Sequence, residues 1–442
     1  MLDAMLKKML EHTSDEVIEK MTTDNYHESL LELWTTSQKL GIAPMLEATI
    51  RANSGKSIHR PLGSPINHSH WDYLYMNSVQ LHQMPTTEDV EIDTTVTIGP
   101  RAKRPLKLKT PIMITAMSYG GSLSPQAKVA LAKGASLAGT ASNTGESALP
   151  DEERQAADYL IGQVSRNRLM TEEDLSQLDA IELRFGQGAH GGNVPEKMKS
   201  ASIDENLRET WRLEEGEDMQ YHSRLEGVNS ADDAVEFINR HKENYDVPVG
   251  VKIAATHNIE KELEVITRTE ADFIVIDGAE GGTGHASSML QDTIGIPTIY
   301  GISRAVHYLE KQGLRDKYQI IAAGGMKGPA VFSKALALGA DAVYIGSIAL
   351  MAMAKTQVEK PLPFYNPPQL VISGGKMADE LDIDQSALNL SKFLKSCLED
   401  MKKPVYALGR TRLSEITRED LVSVDPELAR VLGVGYVGEP NV

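Results

Sequence analysis

Lys252 stands inside an otherwise apolar run, Val247-Pro248-Val249-Gly250-Val251-Lys252-Ile253-Ala254-Ala255. A lysine so placed costs several kcal/mol unless it meets an anion or a desolvated acceptor. A fixed cation there stabilises negative charge that develops on a bound group. Glu146 closes the stretch Asn143-Thr144-Gly145-Glu146 and puts a carboxylate just beyond a short apolar run. A buried carboxylate facing a cationic nitrogen offsets the desolvation of both. Three glycine turns follow other apolar runs: Gly278 to Gly284, including Gly281, Gly282 and Thr283, then Gly324-Gly325, then Gly346-Ser347. Without a Cβ, backbone N–H groups come close to a flat or phosphorylated ligand. Gln163 and Gln187 stand at or beside further run ends, and Arg184, His190 and His285 are candidates for a carboxylate partner. His59, His68, His70 and His82 have no acidic or cysteine companions at ligand spacing, so no metal site is expected.

Residues with these roles need a scaffold that gathers strand ends. Short apolar runs occur at 111–116, 140–143, 159–164, 180–185, 249–253, 273–276, 320–323 and 342–345, mostly separated by helical segments. Ser124-Pro125 and Thr171 give helix starts between them. Eight such units predict an α/β chain of the (β/α)8 TIM-barrel type, whose last two loops commonly bind phosphate. Residues 85–355 are assigned to the barrel, 1–84 to a helical and irregular N-terminal extension, and 356–442 to a C-terminal wrapping extension. Residues 90–108 alternate in two runs about Gly99-Pro100 and predict a strand pair closing the barrel floor. The long polar insert 187–229 follows a strand, so it is expected on the active-site face.

The chain has 442 residues and a net charge of −17, which argues against nucleic acid or an anionic membrane as partner. It contains one cysteine, Cys397, so no disulfide framework and no cysteine-built zinc or iron–sulfur centre is expected within it. The first twenty residues mix acids with lysines and show no signal-peptide pattern, and no stretch of eighteen apolar residues occurs. A cytoplasmic protein that forms a homo-oligomer is the expectation, with the N-terminal helices a docking or oligomer-forming arm.

The run GGMKGPAVFSKALALGADAVYIGS resembles the last two units of FMN barrels such as the α-hydroxy-acid oxidases and the central domain of glutamate synthase. Met117-Ser118-Tyr119-Gly120, Asn143-Thr144-Gly145-Glu146, Gln187-Gly188-Ala189, Val251-Lys252, Gly281-Gly282-Thr283-Gly284 and Gly324-Gly325 follow in the order and spacing of the FMN domain of glutamate synthase. The stand-alone, single-domain members are the most similar. The resemblance implies FMN over the C-terminal strand ends. Ala116, Met117, Ser118 and Lys252 would hold the ring system, and Gly324, Gly325, Gly346 and Ser347 the phosphate. Glu146 would lie in the substrate pocket and handle ammonia or the imino group.

The departures from that family are specific. Where full glutamate synthases carry an iron–sulfur cysteine motif, this chain reads ALMAMAKTQVEK. It has no N-terminal catalytic cysteine, so ammonia is not expected from glutamine on this chain. His190 in Gln187-Gly188-Ala189-His190 replaces the lysine taken to bind the 2-oxo acid, which puts 2-oxoglutarate itself in doubt. The expectation is an FMN-dependent oxidoreductase acting on the C–N bond of a small amino acid or imino acid. Catalysis is assigned to Glu146, Lys252 and His190, with Arg184, His190 and His285 at the substrate. Electrons would come from NAD(P)H, the amine substrate or a separate donor protein. The alternatives are a hydroxy-acid oxidase-type enzyme and a catalytically silent barrel subunit.

Overall fold

The computed structural model describes residues 2–23, 25, 31–59, 63–66, 69–283, 286–355 and 369–440. They divide into two compact units, 1–59 and 60–442. The first contains the helices Leu2–Thr23, Leu31–Leu40 and Ile42–Ser54.

The second unit is built on eight parallel strands: β1 (Ile112–Ile114), β2 (Ser142–Asn143), β3 (Leu160–Val164), β4 (Ala180–Arg184), β5 (Val249–Ala254), β6 (Phe273–Asp277), β7 (Gln319–Ala323) and β8 (Ala342–Ile345). Each leads into a helix: α1 (Pro125–Ala138), α2 (Asp151–Ala156), α3 (Glu172–Ser176), α4 (Ala231–Asn244), α5 (Ile259–Ile266), α6 (Thr298–Lys311), α7 (Pro329–Ala337) and α8 (Ser347–Met353). The sheet runs β1-β8-β7-β6-β5-β4-β3-β2 and closes through a parallel bridge between Ala116 and Asn143. This is the (β/α)8 barrel that the eight apolar runs predict. Strands covered on both faces must be apolar throughout, which is why their patterns read as continuous runs rather than alternation.

Alternation survives inside the barrel, where successive side chains divide between interior and helix-facing sides. Met113, Ile161, Ala180, Phe273, Val275, Ile321, Ala323, Ala342 and Tyr344 form one buried interior cluster. Ile98, Leu106 and Leu108 belong to it as well. They come from the antiparallel pair Val96–Ile98 and Leu106–Leu108, the predicted floor. Gln319, at the first position of β7, fixes the floor by accepting from Gly99 N–H at 2.7 Å and donating to the Thr97 carbonyl at 2.7 Å. Val90 and Ile92 are not in this pair; Asp93 bridges instead to Arg412 in the tail.

The tail helix α9 (Ile383–Ala407) lies against α1. Gly134 permits that approach, since a Cβ there would meet Leu390 Cδ2 at 2.8 Å and the Ala387 carbonyl at 3.0 Å. Further on, Leu421–Ser423 pairs antiparallel with Leu74–Met76, joining the two ends of this unit. The insert between β4 and α4 packs over the C-terminal mouth, as expected of a segment leaving a strand end. Its Ile203, Leu207, Trp211, Met219 and Tyr221 form a cluster with Tyr119, Ala148 and Leu169 from the loops after β1, β2 and β3.

Candidate active site

A cavity of about 290 Å³ opens at the C-terminal mouth of the barrel. Its lining gathers Ala116, Met117 and Ser118 after β1, Glu146 after β2, Gln163 on β3, Arg184 and Gln187 from the end of β4, and Lys252 on β5. Gly281, Gly282 and Thr283 after β6, Gly324 and Gly325 after β7, and Gly346 and Ser347 after β8 complete it. Of the predicted site residues only His190 and His285 are missing from this lining. His285 lies outside the described residues. His190 is buried in the turn Gly188–His190, with Nδ1 3.9 Å from Glu196 Oε1. Gly188 sets that course: its Cα packs so tightly on the Gly278 carbonyl that a Cβ would come within 1.9 Å.

Glu146 is the most constrained carboxylate in the cavity. Its Oε2 takes the Arg184 guanidinium at 2.6 Å and the Ser165 hydroxyl at 2.6 Å, with Arg166 Nε at 3.9 Å. Asn167 Nδ2 donates to the Glu146 carbonyl at 2.7 Å and fixes the backbone. Burial by itself would raise the carboxyl pKa; the two guanidiniums and Ser165 outweigh it and hold the group below the usual carboxylate range. Glu146 is therefore ionised at neutral pH. Arg184 is in turn held by Asn193 Oδ1 at 3.4 Å, while its buried Nε has no hydrogen-bond partner among the described residues.

Lys252 is 3% exposed and pairs with Asp277 Oδ2 at 3.1 Å. The two are two residues out of register on adjacent strands, and so on the same face: Lys252 stands opposite Val275 and Asp277 opposite Ala254. Beneath them Glu182 is fully buried, taking Gln163 Nε2 at 2.5 Å, and burial raises its pKa. The upper interior of the barrel is thus a polar layer on an apolar floor.

Several participants carry no role in the sequence reading. Glu182 could have been found: β4 reads Ala180-Ile181-Glu182-Leu183-Arg184, so two charges two apart share one face of a buried strand. Arg166 and Glu196 come from a loop and from the insert, and nothing local marks them. Arg166 Nη1 donates to the carbonyls of Val194 and His222, and its guanidinium lies over the Tyr221 ring at 5.6 Å. It ties the insert to Glu146.

Glu196 Oε2 lies 3.8 Å from Arg166 Nη2, and burial pushes its pKa from 4.5 to about 7 despite that cation. A carboxyl neutral in the fold and ionised in the unfolded chain lowers stability between those two values as pH rises. Wild type should therefore lose thermal stability relative to Glu196→Gln from pH 4.5 to about 7. Melting temperatures of both proteins across that range test this; parallel curves would mean that Glu196 does not titrate there.

A closed barrel with a polar mouth cavity lined by residues on or just after all eight strands has the layout of a (β/α)8-barrel enzyme, in which the C-terminal loops carry the chemistry. The family description "Conserved region in glutamate synthase" matches residues 57–410. The chain belongs to the glutamate synthase family. An archaeal-type glutamate synthase [NADPH] of Thermotoga neapolitana is 35% identical over 344 residues, 76% of this chain and 67% of that protein. Its counterpart from Thermotoga maritima is 40% identical over 267 residues, covering 59% of this chain and 52% of that protein. A glutamate synthase large subunit-like protein of Rhizobium meliloti is 30% identical over 416 residues, 88% of this chain and 93% of that protein.

Solved structures share the fold. An active chimera of (S)-mandelate dehydrogenase superposes with a TM-score of 0.52 at 13% identity, over 79% of this chain and 88% of that one. A flavocytochrome b2 variant with benzoylformate gives 0.50 at 16% identity, over 84% of this chain and 79% of that one. Among the described residues no helix is long and apolar enough to cross a membrane, and no cluster of three potential metal ligands occurs.

Proposed function

We propose that this chain is an FMN-dependent oxidoreductase acting on the C–N bond of a small amino acid or the matching imino acid. The observation that carries the reading is one cavity holding Glu146, clamped by Arg184, together with the Lys252–Asp277 pair and three glycine turns. The residues suit FMN. Gly324 and Gly325 have φ of 91° and 68°, and a Cβ would meet the Gly278 carbonyl at 2.8 Å or Glu280 Cβ at 2.8 Å. Backbone therefore forms that part of the wall, next to Gly346-Ser347 at the start of α8. These turns would take the phosphate, with Met117, Ser118 and Lys252 along the ring.

FMN, when bound, supplies a ring system that accepts or gives up hydride. Lys252 places its amino group at the barrel centre, against Asp277 and on the cavity wall, where a cation favours negative charge on a bound group. Glu146, held ionised, accepts from an amine or iminium N–H and opposes its charge. Arg184, which lines the cavity, would meet the substrate's carboxylate. Among the described lining residues there is no histidine, which favours nitrogen chemistry over a hydroxy-acid oxidase with its histidine base. The relatives named for NADPH suggest a nicotinamide as electron source. Cys397, the sole cysteine, leaves no thiolates on this chain for a cluster, so electrons would reach the cavity from a nicotinamide, an amine or a donor protein.

Purified protein should be yellow and release one FMN per chain on heating. Anaerobic titration with NADPH and a panel of amino acids should bleach it with at least one of them. Release of FAD, or protein that stays colourless after FMN is added, would overturn the reading.

A further inference from the structure

Lys128 and Glu153 form an ion pair at 3.0 Å, and each is 1% exposed. Neither lines the cavity. Lys128 lies at the first turn of α1, next to the positive end of the helix dipole, where a cation is disfavoured even in water. Full burial adds a second cost. A residue that incurs both is held there by what it touches. Its Nζ donates to the carbonyls of Met117 at 2.6 Å, Asn143 at 3.1 Å and Thr144 at 3.2 Å. Glu153 Oε2 accepts the Thr144 hydroxyl at 2.9 Å. The groups they hold belong to the end of β2 and to the loops after β1 and β2.

That is where the barrel closes, and its ladder is thinnest there. β5 and β6 share five register pairs, whereas β1 and β2 meet through the isolated bridge Ala116–Asn143 and one N–H from Ile114 to Ala141 at 3.0 Å. The two loops also touch beyond the ladder. Gly145 has φ of 77°, and a Cβ on it would lie 2.7 Å from Ser118 N and 2.8 Å from Met117 C. In a trans peptide the C=O and N–H point opposite ways. With the Met117 carbonyl drawn to Lys128, the Ser118 N–H is turned away from it, on a stretch that lines the cavity.

We propose that Lys128 and Glu153 are positioning residues: a buried latch across the β1–β2 seam that presents the Met117-Ser118 turn and Glu146 to the cavity. The step from seam to ligand rests on the FMN reading given above; the latch itself does not.

The test compares Lys128→Met, Glu153→Gln and the double variant with wild type. Each single change strands a buried charge and should lower the melting temperature. The double change removes both charges and should recover most of that loss. The double variant should nevertheless bind FMN at least tenfold more weakly, with an altered visible spectrum. In protein freed of FMN its amides at 114–119 and 142–147 should exchange faster than in wild type. Wild-type affinity, spectrum and seam exchange in the double variant would overturn the proposal. If wild type itself takes no FMN, the functional reading fails separately. Seam exchange then decides alone: faster exchange supports the latch, and unchanged exchange refutes it.

Discussion

Glu146→Gln is expected to slow colour change of bound FMN with its nitrogenous substrate by roughly a hundredfold, about 2.7 kcal/mol in the barrier. The side chain keeps its shape and can still accept from Ser165 and Arg184, which hold it at 2.6 Å each. What disappears is the charge that opposes a cationic amine or iminium. Worse, Arg184 and Arg166 then face the substrate nitrogen with no anion between them. FMN affinity should stay within a few-fold, because the glycine turns and Lys252 are untouched. Stopped-flow absorbance of both proteins under anaerobic conditions reads the difference directly. Equal rates would remove Glu146 from the mechanism. Robust glutamate formation from glutamine by the isolated chain would go further and contradict the assignment of its nitrogen chemistry.

The barrel was legible because a parallel sheet buried on both faces writes itself as short apolar runs, and eight of them alternate with helical segments. The glycine turns were legible for a related reason. Gly324, Gly325 and Gly346 sit directly behind such runs, so the topology alone brings them to one end. Glu146, Lys252, Arg184 and Gln187, read as polar residues at or beside strand ends, line the cavity for the same reason. His190 does not line the cavity: it lies six residues past the end of β4, where a local turn decides direction. The pairings were not legible at all. Glu146 with Arg184, Lys252 with Asp277 and Lys128 with Glu153 each join residues from different units of the barrel. Charge pairing across such distances depends on side-chain packing that spacing does not encode. Lys128 did leave a local trace, since it shares its helix face with the buried Leu131, Ala132 and Ala135.

Lys252→Met is expected to lower the two-electron potential of bound FMN by on the order of 30 mV or more, equivalent to about 1.4 kcal/mol. Methionine fills much of the lysine stem's volume, so the change is one of charge. Two effects then add in the same direction. The cation that favours negative charge on the reduced ring is gone, and Asp277, 3.1 Å from the missing ammonium, is left as an unbalanced negative charge. Asp277 is 4% exposed, so stranding it should also cost about 3–5 kcal/mol of stability. Lys252→Met/Asp277→Asn separates the two contributions. It removes the pair as a whole, relieves the stranded charge and should recover most of the stability. Its potential should lie between those of wild type and Lys252→Met, since it lacks both the favourable cation and the opposing anion. Potentials measured against a redox dye, with FMN confirmed bound in each protein, give the order. The same potential in all three would leave Lys252 a structural partner of Asp277 with no hold on the bound ring.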